Sequence, residues 1–375
     1  KTALCDMLGI EYPILSAGMG PNLLGEETGA PVDLVVAVSE AGGLGVLGAS
    51  GYTIDEMRQA IREIKKRTDK PYGVDILLPK NVVKVDSPSG EGIPLSQVIS
   101  GLPKEHQDFI RKVRAELDLP QVEIMVRTDT TTMMPDQAIK VCLEERVPLF
   151  CAGLGTPGFM VEEAHSVGVK VLAITGNTKN AKRMAEAGID LLVAQGHEAG
   201  GHTGRIGTMA LVPACIDAAY PVPVLAAGGI GDGRGLAAAL AMGCVGVWVG
   251  TRFLATEEAG ALDVIKENII KATDEDTRVS TMFTGKTLRS IHSKFMDMWN
   301  QSGLEPLPFP MQILIASDLL AGFIKSNRAD YIGGFAGQVS GLISEIKPAG
   351  QVLMDMVEEA ADILTRKLPQ NVTVE

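Results

Sequence analysis

The octapeptide HEAGGHTG (197–204) sets His197, Glu198 and His202 around a pair of glycines, directly after the apolar run DLLVAQG. Two imidazoles and a carboxylate can bind a metal, exchange a proton with a substrate, or sit in a turn that does no chemistry. Metal binding is the weakest of the three: a glycine-rich loop fixes neither ring, and neither an H-E-x-x-H helix nor a cysteine ligand stands nearby. Proton exchange suits imidazole, whose ordinary pKa lies near neutrality. Glu198 reads as a hydrogen-bonding anchor for the loop. A second stretch, PVPVLAAGGIGDGRGLAAALAMGCVGVWVGTRF (221–253), runs strand, glycine turn, helix and strand. Glycines let a phosphate approach backbone N–H groups, so Gly228, Gly229, Gly250 and Thr251 form a candidate phosphate cradle; the alternative is that these glycines only turn the chain tightly. The run G-I-G-D-G-R-G lacks the spacing of a dinucleotide fingerprint and comes late in the chain, and no G-x-x-x-x-G-K-[ST] loop occurs.

The elements that must position these residues show a regular rhythm. Near-continuous apolar runs stand at 12–18, 44–49, 72–78, 147–153, 169–175, 190–196, 223–229 and 245–251, as expected of parallel strands buried on both faces. Helical patterns lie between them. TIDEMRQAIREIKKRT has a threonine cap, an acidic first turn and a basic last turn, and PVDLVVAVSEAGG opens at proline and ends at glycine. Eight strands with intervening helices predict a (β/α)8 barrel; a doubly wound sheet is the rival. Counted in order, the two glycine turns follow strands seven and eight, where barrel phosphate sites often lie.

The barrel is expected over 1–256. Residues 79–134 are too long for a strand-to-helix loop and read as an insertion after the third strand, either a lid or a surface excursion. Residues 257–334 read as a smaller helical domain, and 335–375 as helices that pack back on the barrel. The stretch GKTLRSIHSK offers Lys286, Arg289 and Lys294, either a phosphate-holding patch or a solvated basic helix.

Composition narrows the function classes. With 34 basic against 46 acidic residues and a net charge of -12, the chain is a poor nucleic-acid ligand. The five cysteines are scattered with no C-x-x-C pair, which fits a reducing compartment; Cys151 alone ends a candidate strand near the site. No apolar run is long enough for a membrane span, and the N-terminal residues do not follow signal-peptide order, so a cytoplasmic location is expected.

Several of these stretches carry a resemblance. AQGHEAGGHTG with the 221–253 segment, SEAGGLGVLGA near residue 40, GKTLRS (285–290) and AGQVSGLI (336–343) together resemble the nitronate monooxygenase (2-nitropropane dioxygenase) superfamily, over most of the chain apart from 79–134. That resemblance implies FMN bound in a (β/α)8 barrel with a second helical domain. It implies a role for His202 as acid/base or substrate contact, and none for His197. It places Ala17, Gly18 and Met19 against the flavin ring, Gln195 and Thr175 toward the ribityl chain, and Gly200 and Gly201 beside the cofactor. Asp75 departs from the family's usual asparagine at the pyrimidine end; a charged carboxylate there would disfavour anionic reduced flavin, whereas a solvated or capping aspartate would do nothing. The implied reaction is oxidation of an alkyl nitronate by O2 to a carbonyl and nitrite. The superfamily also holds acyl-thioester oxidoreductases, including enzymes acting on steroid-ring CoA esters and enoyl reductases, and NAD(P)H:quinone reductases, so the implied partners are a small nitronate or acyl thioester and NAD(P)H. The cradle, common to all, does not choose among them.

Overall fold

The computed structural model describes residues 1–20, 28–78 and 92–373. Eight parallel strands form its centre: β1 (Ile14–Ser16), β2 (Gly45–Gly48), β3 (Tyr72–Leu77), β4 (Leu149–Leu154), β5 (Lys170–Thr175), β6 (Leu191–Gln195), β7 (Val224–Ala227) and β8 (Gly246–Val249). Each pairs with its sequence neighbours, and β8 pairs with β1. The Leu15–Leu44 bridge joins β1 to β2, so the sheet closes on itself as a TIM barrel. The rival doubly wound sheet is excluded, because it would leave two open edges.

Interior side chains fill the barrel. Leu15, Val46, Leu149, Cys151, Leu172, Val193, Leu225 and Trp248 form one apolar cluster with Leu4, Cys5 and Leu8 of the helix Ala3–Leu8. Leu4 lies against the start of β8, so that helix plugs the N-terminal end. The outer faces of the strands pack on the surrounding helices in a second, larger cluster. The capped helix between β2 and β3 is Ile54–Arg67; Thr53 accepts from Glu56 N at 3.1 Å while Glu56 accepts from Thr53 N at 2.7 Å, a complete capping box. The helix Ala349–Asp362 packs against both Gly233–Ala241 and Val32–Glu40, closing the outer ring between the last barrel helix and the first. Ahead of it, 338–342 is only a short 3-10 turn, so regular helix begins later than the sequence pattern predicts.

Between β3 and β4 the chain forms a two-strand ladder, Ile93–Pro94 with Met125–Val126, and the helices Leu95–Ser100 and Lys104–Leu117. The first part of the expected insertion, 79–91, lies outside the described residues. Arg114 of the second helix makes a two-pronged ion pair with Asp318 at 2.9 and 3.0 Å, tying it to the helix Met311–Lys325. Phe109, Ile110, Phe295, Ile315 and Phe323 share a third apolar cluster.

The all-helical reading of 257–334 is corrected. Helices Asp263–Lys271, Lys294–Ser302 and Met311–Lys325 are present, but Thr277–Ser280 and Leu288–Ile291 pair as antiparallel strands. GKTLRSIHSK is therefore turn and strand rather than a basic helix. Four-residue strands carry too short an alternation to be told from a helical turn by pattern.

Close packing of helix on strand predicts one sharp sensitivity. A methyl at Gly45 would sit 2.2 Å from the Val35 carbonyl oxygen and 2.5 Å from Val35 Cα, all backbone. Gly45→Ala should destabilise the fold by about 1–3 kcal/mol, the range for overpacking, read as a lower denaturant midpoint; an unchanged midpoint would show that the helix Val32–Glu40 can shift at little cost.

Candidate active site

The sequence-selected residues converge on the rim at the C-terminal ends of the strands. Ala17, Gly18 and Met19 follow β1, and Gly228–Gly229 and Gly250–Thr251 follow β7 and β8. Ala17 N donates to Val249 O at 2.8 Å, and the Cα hydrogens of Gly250 face Ala17 and Met19, which draws the ends of β1 and β8 together. Gly228 and Gly229 both have positive φ, 93° and 74°, a backbone that glycine adopts without strain. Among the described residues the amide N–H groups of Gly228, Gly229, Gly250 and Thr251 donate to no other acceptor. Four free amides at adjoining strand ends are what an anionic group needs. The next turn is different. Asp232 accepts from Arg234 N and Gly235 N, and Glu359 accepts from Gly233 N at 2.8 Å, so the start of the helix Gly233–Ala241 is already occupied by carboxylates. The Thr251 hydroxyl accepts from Gly337 N at 2.9 Å.

The glycine loop after β6 is held from four sides. Glu198 accepts from Thr208 N at 2.9 and 3.0 Å and from Thr208 Oγ1 at 2.9 Å, so it anchors the loop to the start of the helix Thr208–Ala219. The Glu198 carbonyl accepts from Gln338 N at 2.9 Å. The His197 carbonyl accepts from buried Arg289 through Nε and Nη2, at 3.2 and 3.1 Å. His197 itself bonds through Nδ1 to the Gly204 carbonyl at 2.8 Å, bracing the loop across its own neck. Finally, Gly201–His202 adds a third strand to the Thr277–Ser280/Leu288–Ile291 pair. The structure thus explains AGQVSG: Gly200 is pressed so closely on Ala336 that a methyl would lie 2.6 Å from its backbone. Gly200 is consequently a packing position against 336–337. Gly201, at φ 67°, has open space beside it.

His202 is the loop's reactive candidate. Its Nε2 bonds to Thr284 Oγ1 at 3.0 Å, and its carbonyl accepts from Gln195 Nε2 at 2.7 Å. Gln195, expected along the ribityl chain, spends its amide N–H on positioning His202. The Thr175 hydroxyl is engaged in a local turn with Asn177. Phe309 lies edge-on to the imidazole, 6.4 Å between centroids. Burial, aided by the nearby Lys286 charge, pushes the His202 pKa down to about 4. The ring is therefore neutral at neutral pH, available as a base and a hydrogen-bonding group.

Asp75 sits on the interior face of β3 and is 5% exposed. Its Oδ1 has no hydrogen-bond partner. A methyl at Gly18 would lie 2.2 Å from Asp75 Cβ, and one at Gly153 would lie 2.8 Å from Oδ1, so glycines on both sides make room for it. Burial drives its pKa well above the usual carboxylate range, offset in part by the Gly153 backbone. The solvated or capping alternative is corrected: Asp75 is buried and caps no helix, and burial favours its protonated form. A neutral carboxyl can donate and accept, as an asparagine amide does. Cys151, wholly buried beside it, has its thiol pushed up as well, first by burial and then by Asp75.

The three basic residues of 285–294 part company. Arg289 is buried on the loop, Lys294 pairs with Asp330 at 2.7 Å, and only Lys286 faces His202's surroundings, its ammonium 4.5 Å from the Phe309 ring centroid. Thr284 and Phe309 are the site residues that sequence reasoning missed; neither belongs to a motif, and only folding brings them to His202. Among the described residues there is no cluster of metal-ligating side chains, and no helix is long and apolar enough to cross a membrane.

Comparison with known proteins agrees on one family. The family profile described as nitronate monooxygenase matches residues 1–359. A Mycobacterium tuberculosis protein named as a monooxygenase is 36% identical, over 96% of this chain and 97% of its own. A Staphylococcus haemolyticus protein named "Probable nitronate monooxygenase" is 30% identical, over 96% and 98%. Among solved structures, FabK from Thermotoga maritima is similar at TM-score 0.75 and 33% identity, covering 99% of both chains. Nitroalkane oxidase from Streptomyces ansochromogenes is similar at TM-score 0.79 and 27% identity, covering 97% of this chain and 99% of that one.

Asp75 generates a pH-dependent prediction. Its folded pKa lies above its unfolded value, so the group favours folding fully at pH below the unfolded value and disfavours it increasingly as pH rises. Asp75→Asn removes that penalty. The variant should unfold at higher denaturant than the parent at neutral pH, and the gap should close as pH falls toward about 4, the unfolded carboxylate range. Equal midpoints at neutral pH would mean that Asp75 is stabilised as an anion.

Proposed function

The chain belongs to the nitronate monooxygenase family and is an enzyme of that family; from that premise we propose that it binds FMN and oxidises an alkyl nitronate with O2 to a carbonyl compound and nitrite. The observation that carries the cofactor reading is the set of free amides at Gly228, Gly229, Gly250 and Thr251, a cradle that fits a phosphate monoester at the barrel position where such groups bind. Two further features fit a flavin. Asp75 brings a buried carboxyl, its Oδ1 unpartnered and its protonated form favoured by burial, into the barrel, where it could meet a ring edge that carries both donors and acceptors. Ala17, Gly18 and Met19 offer a surface of small and soft side chains at the end of β1, with Met19 packed against all three apolar clusters.

When bound, the flavin would supply the electron-transfer chemistry between substrate and oxygen. The chain's own residues supply the rest. The four amides hold the phosphate, and Asp75 orients the ring by hydrogen bonding. His202, neutral and anchored at Nε2 by Thr284 and at its carbonyl by Gln195, contacts the substrate, where it can hydrogen-bond a nitronate oxygen or hold the proton of the conjugate nitroalkane. The segment 257–334 closes the substrate side, since Thr284, Lys286 and Phe309 all come from it; it acts as a substrate domain over the barrel 1–256, together with the helix Lys104–Leu117 of the 79–134 insertion. An acyl-thioester substrate is the second reading, supported by the similarity to FabK at 33% identity.

Three measurements test this. The purified chain should be yellow and retain FMN on gel filtration; a colourless chain that rejects added FMN sinks the cofactor assignment. Anaerobic mixing with propionate 3-nitronate, an enoyl-CoA or NADPH should bleach the flavin with the nitronate; bleaching by the thioester or NADPH alone would transfer the assignment to that class. His202→Ala should lower kcat/KM by about 10²–10⁴-fold, the range for a lost acid/base group, without loss of FMN. The sign of the pH dependence follows from the depressed His202 pKa: the neutral form is complete above the ordinary histidine range and is lost as pH falls through about 4. The His202-dependent limb of kcat/KM should therefore stay level across neutral pH, and an acid limb centred near the ordinary histidine value would contradict a neutral, desolvated ring.

A further inference from the structure

One charge near His202 has no carboxylate partner among the described residues. Lys286 is half-buried in the turn before Leu288–Ile291. In a chain where acidic side chains outnumber basic ones, 46 to 34, no carboxylate among the described residues pairs with its ammonium. The ammonium lies instead over the Phe309 ring, 4.5 Å from its centroid, and the same ring stands edge-on to His202 at 76°. Thr284 joins the two residues a second time: its Oγ1 meets His202 Nε2 at 3.0 Å and accepts from Lys286 N at 3.3 Å. The register of Leu288 opposite His202 adds a third tie. A cation is thus held beside a neutral imidazole by an aromatic face and a shared hydroxyl.

Left alone, this arrangement is unfavourable. Burial lowers the Lys286 pKa, and the Lys286 charge in turn helps to keep His202 unprotonated. Among the described residues, the groups that face His202 are Thr284 and Lys286 from the turn, Phe309 from the segment before Met311–Lys325, and Gln195 from β6; none of these carries negative charge. An anion carried by the substrate would complete this set. An ammonium and a neutral imidazole that both meet one aromatic ring can share a planar group whose negative charge is spread over two oxygens: the ammonium takes one oxygen by a charge-assisted hydrogen bond, and the imidazole takes the other.

We infer that Lys286 is the anion-recognition residue of the active site, set by Phe309 and Thr284 to bind an oxygen of a delocalised oxyanion on the substrate. The inference rests on the reading of His202 as a substrate contact and deepens it: the anionic nitronate is selected over its neutral nitroalkane because only the anion completes the Lys286 charge.

The test uses nitrate, a planar and unreactive oxyanion, with the full-length protein as purified, and needs no turnover. The ring signals of ¹³C-labelled histidine, with His202 assigned through His202→Gln, report both binding and protonation. Nitrate should shift the His202 signal saturably in the parent protein. K286M should weaken the nitrate Kd by about tenfold or more, the worth of a charge-assisted hydrogen bond, and K286R should recover most of it. The His202 titration midpoint should rise in K286M from about 4 toward the ordinary histidine value. In turnover, K286M should act mainly through KM for the nitronate. A parent protein whose His202 ignores nitrate, or a K286M variant that binds it as tightly as the parent, overturns the proposal. The flavin content of the same samples is read separately, so a failure of the FMN reading is not confused with a failure of this one.

Discussion

The active-site rim depends on immobilising a loop that has almost no apolar side chains with which to hold itself. HEAGGHTG cannot be fixed by burial, so polar contacts fix it. The Glu198 carboxylate reaches the Thr208 amide and hydroxyl, and Arg289 takes the His197 carbonyl. Gln338 takes the Glu198 carbonyl from the other side. These are bonds to charged groups or to buried backbone, the kinds whose loss is most expensive. The glycines then become an advantage, because they admit Ala336 and Gly337 within close backbone range and leave the space beside Gly201 open. Without the clamps, His202 would lose the entropic benefit of a preset position.

The same economy governs electrostatics. A barrel axis is a poor solvent for charge, and the chain does not fight that. Burial favours the protonated form of Asp75, and burial with a neighbouring cation keeps His202 neutral. The proposed phosphate cradle offers four backbone amides instead of lysines, which suits a protein with net charge -12. Among the described residues, the Lys286 charge near His202 is partly shielded by the Phe309 ring rather than paired with a carboxylate.

Much of this was legible before folding was considered. Eight apolar runs foretold eight parallel strands, because strands buried on both faces must be apolar throughout. The glycine turns after strands seven and eight were correctly located. The clamp role of Glu198 was legible too, since a carboxylate in a glycine turn has backbone amides near it. The short strands Thr277–Ser280 and Leu288–Ile291 were not legible, since four residues carry little periodicity and the Leu288–Ile291 strand owes part of its existence to pairing with Gly201–His202. The burial of Asp75 was not legible for a related reason: it depends on how completely Gly18, Gly153 and the strands enclose it.

The sequence by itself determined what is local or periodic: the barrel, the glycine positions that need positive φ or close approach, the helix caps, and a histidine in a family motif. Tertiary structure alone decided which groups meet across distance. It separated Lys286, Arg289 and Lys294, alike in sequence, into a cation beside the active-site histidine, a buried clamp and a surface ion pair. It brought Thr284 and Phe309 to His202 from about a hundred residues away, and it buried Asp75 and His202 deeply enough to shift both toward their neutral forms. The physical reason is the same in each case: desolvation and long-range pairing depend on what encloses a side chain, and that is written in the fold rather than in its neighbours along the chain.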